Sequence, residues 1–129
     1  MKQKIALISL LVGEYDEAID FYTRRLNFIL LEDTRLDEKK RWVRIAPPGS
    51  TETCLLLAKA EGDAQKSRIG NQAGGRVFLF LNTDNFRRDY QRLLDQKVTI
   101  VREPVTEAYG TVAVFADLYG NLWDLIEPA

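Results

Sequence analysis

The chain has 129 residues, a length that predicts one domain with a hydrophobic core of its own. Its formal net charge of −1 gives no electrostatic reason to expect a nucleic acid or an anionic membrane as a partner. The sequence contains no histidine, which excludes Ser–His and Cys–His nucleophilic pairs, histidine general bases and imidazole metal ligands. Any chemistry must therefore use carboxylates, arginine, lysine, tyrosine or the single cysteine, Cys54.

Cysteine usage and the N-terminal segment both favour a cytoplasmic location. A single cysteine cannot form an intramolecular disulfide, and Cys54 has no evident cationic neighbour in the sequence, which favours a buried, inert thiol. The apolar run at residues 5–12 is short and precedes an acidic helix start, so it predicts a strand and not a signal peptide. No stretch reaches the roughly 18 apolar residues of a membrane span.

The first half of the chain predicts the order β-α-β-β-β. The strand at 5–12 is followed by an amphipathic helix, since apolar side chains recur at helical spacing. Turn-forming clusters at 37–40 and 47–50 separate three further apolar runs. The helical stripe consists of Tyr15, Ile19, Tyr22 and Leu26, and the three later strands are predicted at 28–32, 41–46 and 53–58.

The second half repeats this order after a polar, glycine-rich connector. Its helix carries the stripe Phe86, Tyr90, Leu93 and Leu94, with Thr83 or Asp84 as the predicted N-cap. Pro104 is expected to end the strand that begins at Val98. The predicted strands are 77–81, 98–101, 111–116 and 122–126. The boundaries are therefore a first module at 1–60, a connector at 61–74 and a second module at 75–129.

The last two strands form a predicted hairpin around a polar turn, Asp117-Leu-Tyr-Gly-Asn-Leu-Trp-Asp124. Asp124 follows Trp123 and precedes two more apolar residues. A carboxylate in so apolar a strand needs a metal or another side chain as a partner, because an unpaired buried charge is costly.

Two segments give the chain a resemblance to the vicinal oxygen chelate superfamily, which includes glyoxalase I, bleomycin-resistance proteins and extradiol dioxygenases. They are Val12-Gly-Glu-Tyr-Asp-Glu-Ala-Ile-Asp-Phe-Tyr22 with Leu26-Asn-Phe28, and the closing hairpin at 117–124. The resemblance covers essentially the whole chain. It implies an α+β fold in which two tandem βαβββ modules form a cup-shaped mixed-sheet domain. It also implies a homodimer, because such proteins often build their sites across two subunits.

The resemblance further implies four sequence positions, here called the ligand columns, whose side chains hold a divalent ion in metal-dependent relatives. In this chain the columns contain Leu7, Leu55, Arg76 and Asp124. Leucine offers no ligand atom and a guanidinium stays protonated, whereas catalytic metal sites take about three protein ligands. We therefore predict no metal site and no cofactor, although a divalent metal is the superfamily's default.

Several side chains are candidates for binding or catalysis. Arg76 and Asp124 are predicted to form an ion pair, which either orients a ligand or is only a structural salt bridge. Arg41 and Trp42 either clamp a planar or anionic ligand or serve packing and solvation. The predicted loop at 103–110 carries Glu107 and Tyr109, which are acid–base candidates or merely exposed. Aromatic side chains that either line the pocket or fill the core are Phe78, Phe80, Phe115 and Trp123.

Three classes of function are consistent with these features. The first is a glyoxalase/bleomycin-resistance-like protein that binds a small organic ligand in its cup without the usual metal. The second is a lyase or isomerase of the glyoxalase type, or a dioxygenase relative, that acts on a carbonyl substrate through Arg76, Asp124, Glu107 or Tyr109. The third is an association protein whose pocket is filled by its own side chains. An open apolar cavity would favour the first class over the third.

Overall fold

A computed structural model describes all 129 residues of the chain. Contacts divide it into two units, Met1–Ile69 and Gly70–Ala129. The first unit contains β1 (Leu7–Val12), α1 (Tyr15–Asp20, continued by a π-helix at Phe21–Arg25), β2 (Ile29–Arg35), β3 (Arg41–Ala46), β4 (Cys54–Lys59) and α2 (Gly62–Lys66). The second contains β5 (Val77–Asn82), α3 (Phe86–Asp95), β6 (Thr99–Glu107), β7 (Gly110–Ala116) and β8 (Leu122–Pro128).

Each unit builds one four-stranded mixed sheet with the same topology. The strand orders are β1-β4-β3-β2 and β5-β8-β7-β6. In each sheet the first and last strands of the unit pair in parallel, and the other neighbours pair antiparallel. The α+β fold of two tandem βαβββ modules is therefore confirmed.

In the first unit, α1 covers one face of the sheet, which we call the helix face; the opposite face is the far face. The helix face is the core, because side chains at alternate strand positions there are fully buried. The buried set comprises Leu10, Val43, Ile45 and Leu57 in the sheet and Ala18 and Tyr22 in the helical segment. Burying each of the larger side chains contributes about 1.5–3 kcal/mol.

In the second unit, the helix face carries Trp123 and Leu125 on β8, both buried, and Trp123 stacks on Phe115 with ring centroids 5.9 Å apart. Helix α3 is tied to this face because the Phe86 backbone N–H donates to Glu127 Oε1 at 2.7 Å. The α3 N-cap is Asn85, whose side chain accepts from the Arg88 N–H. The prediction of Thr83 or Asp84 as the cap is wrong by one or two residues.

Strand β6 extends further than the sequence predicts. It continues through Pro104 to Glu107, because β6 is the edge strand and its pairing with β7 shifts register between Arg102 and Val105. Proline is tolerated at such a place because no ladder hydrogen bond is lost. The predicted loop at 103–110 is therefore mostly strand, and only Ala108 and Tyr109 form the turn to β7.

The predicted connector at 61–74 has structure of its own. It contains α2, and its end docks on the β7–β8 turn. There the Asp117 carboxylate accepts from the backbone N–H groups of Tyr119 and Asn121 at 2.9 Å, and the Gln72 N–H donates to Asn121 Oδ1 at 3.5 Å. Gly70 has φ +73°, and a Cβ there would overlap the Tyr119 carbonyl oxygen. The approach of this segment to the turn therefore requires glycine.

Candidate functional site

Four side chains form a row across the far face of the second sheet. Strand register places Phe80 beside Asp124, Asp124 beside Val114, and Val114 beside Arg102. Because side chains alternate along each strand, all four lie on the face opposite α3. The row runs from an aromatic ring through a carboxylate and a valine to a guanidinium.

Three members of this row, Phe80, Val114 and Arg102, line a cavity of about 350 Å³ within the second unit, and Asp124 is not among the lining residues. Its walls are mainly apolar, and two arginines supply its positive charge. Phe80 is 67% exposed, unusual for so large an apolar side chain in a strand. The lining residues are Gly75, Arg76, Val77, Phe80, Val101, Arg102, Val114 and Leu122.

Asp124 forms no ion pair with Arg76. It is half-buried, and burial raises the pKa of its carboxyl, while the charge of Arg102 lowers that pKa to a smaller extent. The cation that acts on Asp124 is thus Arg102, which the sequence reasoning missed. Two register shifts in β6 surround this residue, so simple alternation along the strand could not assign Arg102 to a face.

Two predicted aromatic residues do not line the cavity. Trp123 lies on the helix face, 3% exposed and stacked on Phe115, so it packs in the core of this unit and does not border the cavity. Phe78 is half-buried at the register shift of β5 and is not among the lining residues. Glu107 and Tyr109 are exposed at the β6–β7 turn, also outside the lining.

Arg41 is held on the helix face of the first unit. Its guanidinium contacts Asp33 at 2.6 Å and Asp16 at 2.9 Å, and it lies 5.1 Å from the centroid of the Tyr15 ring. These contacts hold the guanidinium against α1 and β2, so the structure offers no support for the prediction that Arg41 clamps a ligand. Trp42 alternates with Arg41 and therefore points to the far face, where it is half-buried opposite Thr34.

The corresponding row of the first sheet is Ser9, Leu56, Arg44 and Glu32. Arg44 Nε donates to Glu32 Oε1 at 2.9 Å. This contact lowers the pKa of Glu32. Arg44 Nη1 also lies 3.6 Å from Cys54 Sγ, so this buried thiol has a cationic neighbour that the sequence did not reveal.

The residues present do not fit a catalytic metal ion. Leu7 lies on the far face of the first sheet. The strand register also places Leu56 on this face, so Leu56, and not the predicted Leu55, occupies the second ligand column. Asp124 is then the only side chain in the four columns with a ligand atom. Nowhere in the structure do three or more carboxylate, thiol or imidazole side chains converge as a metal site requires.

Comparison with known proteins now identifies the family. The model of the Glyoxalase/Bleomycin resistance protein/Dioxygenase superfamily matches residues 4–125. The chain belongs to this superfamily, as the sequence resemblance implied. No helix in the structure is long and apolar enough to cross a membrane.

Individual relatives refine the comparison. The chain is 59% identical over 128 residues to an uncharacterized protein of Shewanella frigidimarina, covering 98% of this chain and 95% of the relative. The crystal structure of UcmS2 is similar with a TM-score of 0.86, 30% identity and coverage of 98% and 99% of the two chains. TnmS3, described as an antibiotic binding protein from Streptomyces sp. CB03234, has a TM-score of 0.77, 28% identity and coverage of 100% and 98%.

Proposed function

We propose that this protein binds a small organic ligand in the cavity on the far face of its second sheet and that binding requires no metal. The observation that carries the proposal is the cavity of about 350 Å³, with apolar walls, an exposed Phe80 and two arginines. Ligand pockets typically measure roughly 300–1,000 Å³ and combine apolar walls with a few polar groups. The similarity to TnmS3 supports the same function class.

The cavity favours this proposal over the association class. A pocket filled by the protein's own side chains would leave Phe80 covered, whereas its ring is mostly exposed. The proposal extends to a homodimer, which the superfamily resemblance implies, and to a cytoplasmic location, which the single cysteine favours.

Two dyes with the same aromatic body provide the test: N-phenylnaphthylamine, which is neutral, and anilinonaphthalene sulfonate, which is anionic. We expect at least one of them to bind with a stoichiometry of one per chain, measured by fluorescence titration after dialysis against EDTA. Phe80→Ala should weaken that binding about tenfold, since an aromatic wall is lost. Failure of both dyes to saturate one site, or binding that returns only with added metal, would contradict the proposal.

One observation favours a second candidate function, a glyoxalase-type lyase or isomerase. Burial raises the pKa of Asp124, and a carboxyl of this kind in one row with an arginine is suited to general acid–base chemistry. Arg102 would then stabilise the oxyanion formed from a carbonyl substrate. The metal-free protein would turn over hemithioacetals of 2-oxoaldehydes and lose that activity in Asp124→Asn; absence of turnover in the native protein would reject this function.

A further inference from the structure

We propose that the ligand of this cavity carries an anionic group that Arg102 and Arg76 bind, while an apolar or aromatic body packs on Phe80. The inference rests on the proposed function and adds the chemical class of the ligand. It starts from the state of the two guanidinium groups that line the cavity.

Neither Arg76 nor Arg102 has a protein acceptor for its side chain. Elsewhere, Arg41, Arg44 and Arg88 each donate to a carboxylate at 3.0 Å or less. A guanidinium offers five N–H donors in a planar fork that fits a carboxylate, sulfonate or phosphate. Two such forks at one cavity leave a positive site that oxygens of an anionic ligand can satisfy.

Asp124 does not satisfy Arg102, although the two lie in one row. Val114 stands between them, so their strands are separated by two spacings of about 4.8 Å each. The carboxylate therefore acts on Arg102 only at a distance and leaves its N–H groups open.

The apolar lining defines the rest of the ligand. Four aliphatic side chains and the exposed Phe80 ring surround the arginines, so a small hydrated ion would leave most of the wall unused. The aliphatic members are Val77, Val101, Val114 and Leu122. An aromatic ring stacked on Phe80 would gain binding free energy beyond that of its buried area. The site thus matches an amphipathic anion and not a free inorganic one.

The two dyes described above separate this inference from the proposed function, because they share one body and differ in the sulfonate. We expect the sulfonated dye to bind the wild-type protein at least about tenfold more tightly than the neutral dye. Arg102→Gln should remove most of that difference and leave the neutral dye unaffected. Arg102→Lys, which keeps the charge but not the fork, should be intermediate.

Arg87→Gln is the matched control, since it removes the same charge from an exposed position on helix α3, on the other side of the sheet. Its affinity for both dyes should equal that of the wild type. Equal binding of the two dyes by the wild type, or an unchanged preference in Arg102→Gln, would overturn the anionic ligand but leave the proposed function in place. Loss of preference in Arg87→Gln as well would show unspecific charge attraction and would also overturn it.

Discussion

The far faces of the two sheets have the same strand topology but arrange their charges differently. In the first sheet, Arg44 and Glu32 lie on adjacent strands and form an ion pair at 2.9 Å. In the second sheet, Arg102 and Asp124 occupy the same kind of row, but Val114 separates them. One module therefore neutralises its charges internally, whereas the other leaves a guanidinium free beside an apolar cavity.

This difference shows that one module topology can carry either an internal ion pair or an unpaired arginine beside a cavity on its far face. The helix faces are built alike, since leucine, aromatic and β-branched side chains fill both cores. The far faces are free to diverge because their side chains do not hold the helix to the sheet. We therefore expect substitutions on the helix faces to have similar effects in both units, and substitutions on the far faces to differ between them.

The largest expected effects are on the helix faces. Leu57→Ala in β4 and Leu125→Ala in β8 remove corresponding core side chains, which are 0% and 2% exposed. Each should lower the free energy of unfolding by about 2–5 kcal/mol, measured by urea denaturation. A loss below about 1 kcal/mol in only one of the variants would show that the two cores are not equivalent.

The next effect concerns the segment that docks on the β7–β8 turn. Gly70→Ala should destabilise the protein by about 1–3 kcal/mol, because the new Cβ meets the Tyr119 carbonyl in addition to the cost of positive φ. Gly49→Ala is the control, since Gly49 has φ +78° but open space around it. If both variants lose the same stability in urea, the docked segment contributes nothing.

The smallest effects should appear in the pH dependence of stability. Arg44 lowers the pKa of Glu32, so Glu32 contributes stability above its unfolded pKa, and this is lost as the pH falls through the folded value. Burial raises the pKa of Asp124, so its contribution is present below its unfolded pKa and is lost as the pH rises through the folded value. Arg102 is the charged group that acts on Asp124. The residues beside Asp124 on the two neighbouring strands, Phe80 and Val114, are uncharged.

Glu32→Gln should therefore destabilise the protein at about pH 7 and have less effect at about pH 3, below the unfolded pKa values. Asp124→Asn should stabilise it at about pH 7, where the wild-type carboxylate is buried and charged. Urea midpoints at the two pH values measure both changes. The same sign for both variants at pH 7 would contradict the contrast between a paired and an unpaired carboxylate.

The sequence predicted the fold better than it predicted the site. The helical stripe and the polar turn at Asp117 depend on local spacing, which propensity and periodicity report directly. Arg102 and Asp124 share one row only through the register of three strands, and two register shifts in β6 obscure that register in the sequence. The partners of Arg41 could not be predicted for a similar reason, since Asp16 and Asp33 belong to other elements and meet Arg41 only in the folded unit.

The central claim is that ligand binding belongs to the far face of the second sheet. Amide chemical shifts of the EDTA-treated protein, recorded with and without anilinonaphthalene sulfonate, test it most directly. We expect the largest changes along Phe80, Asp124, Val114 and Arg102, with little change along the first-sheet row of Ser9, Leu56, Arg44 and Glu32. Changes that cluster on the first-sheet row or on the helix faces would contradict the claim.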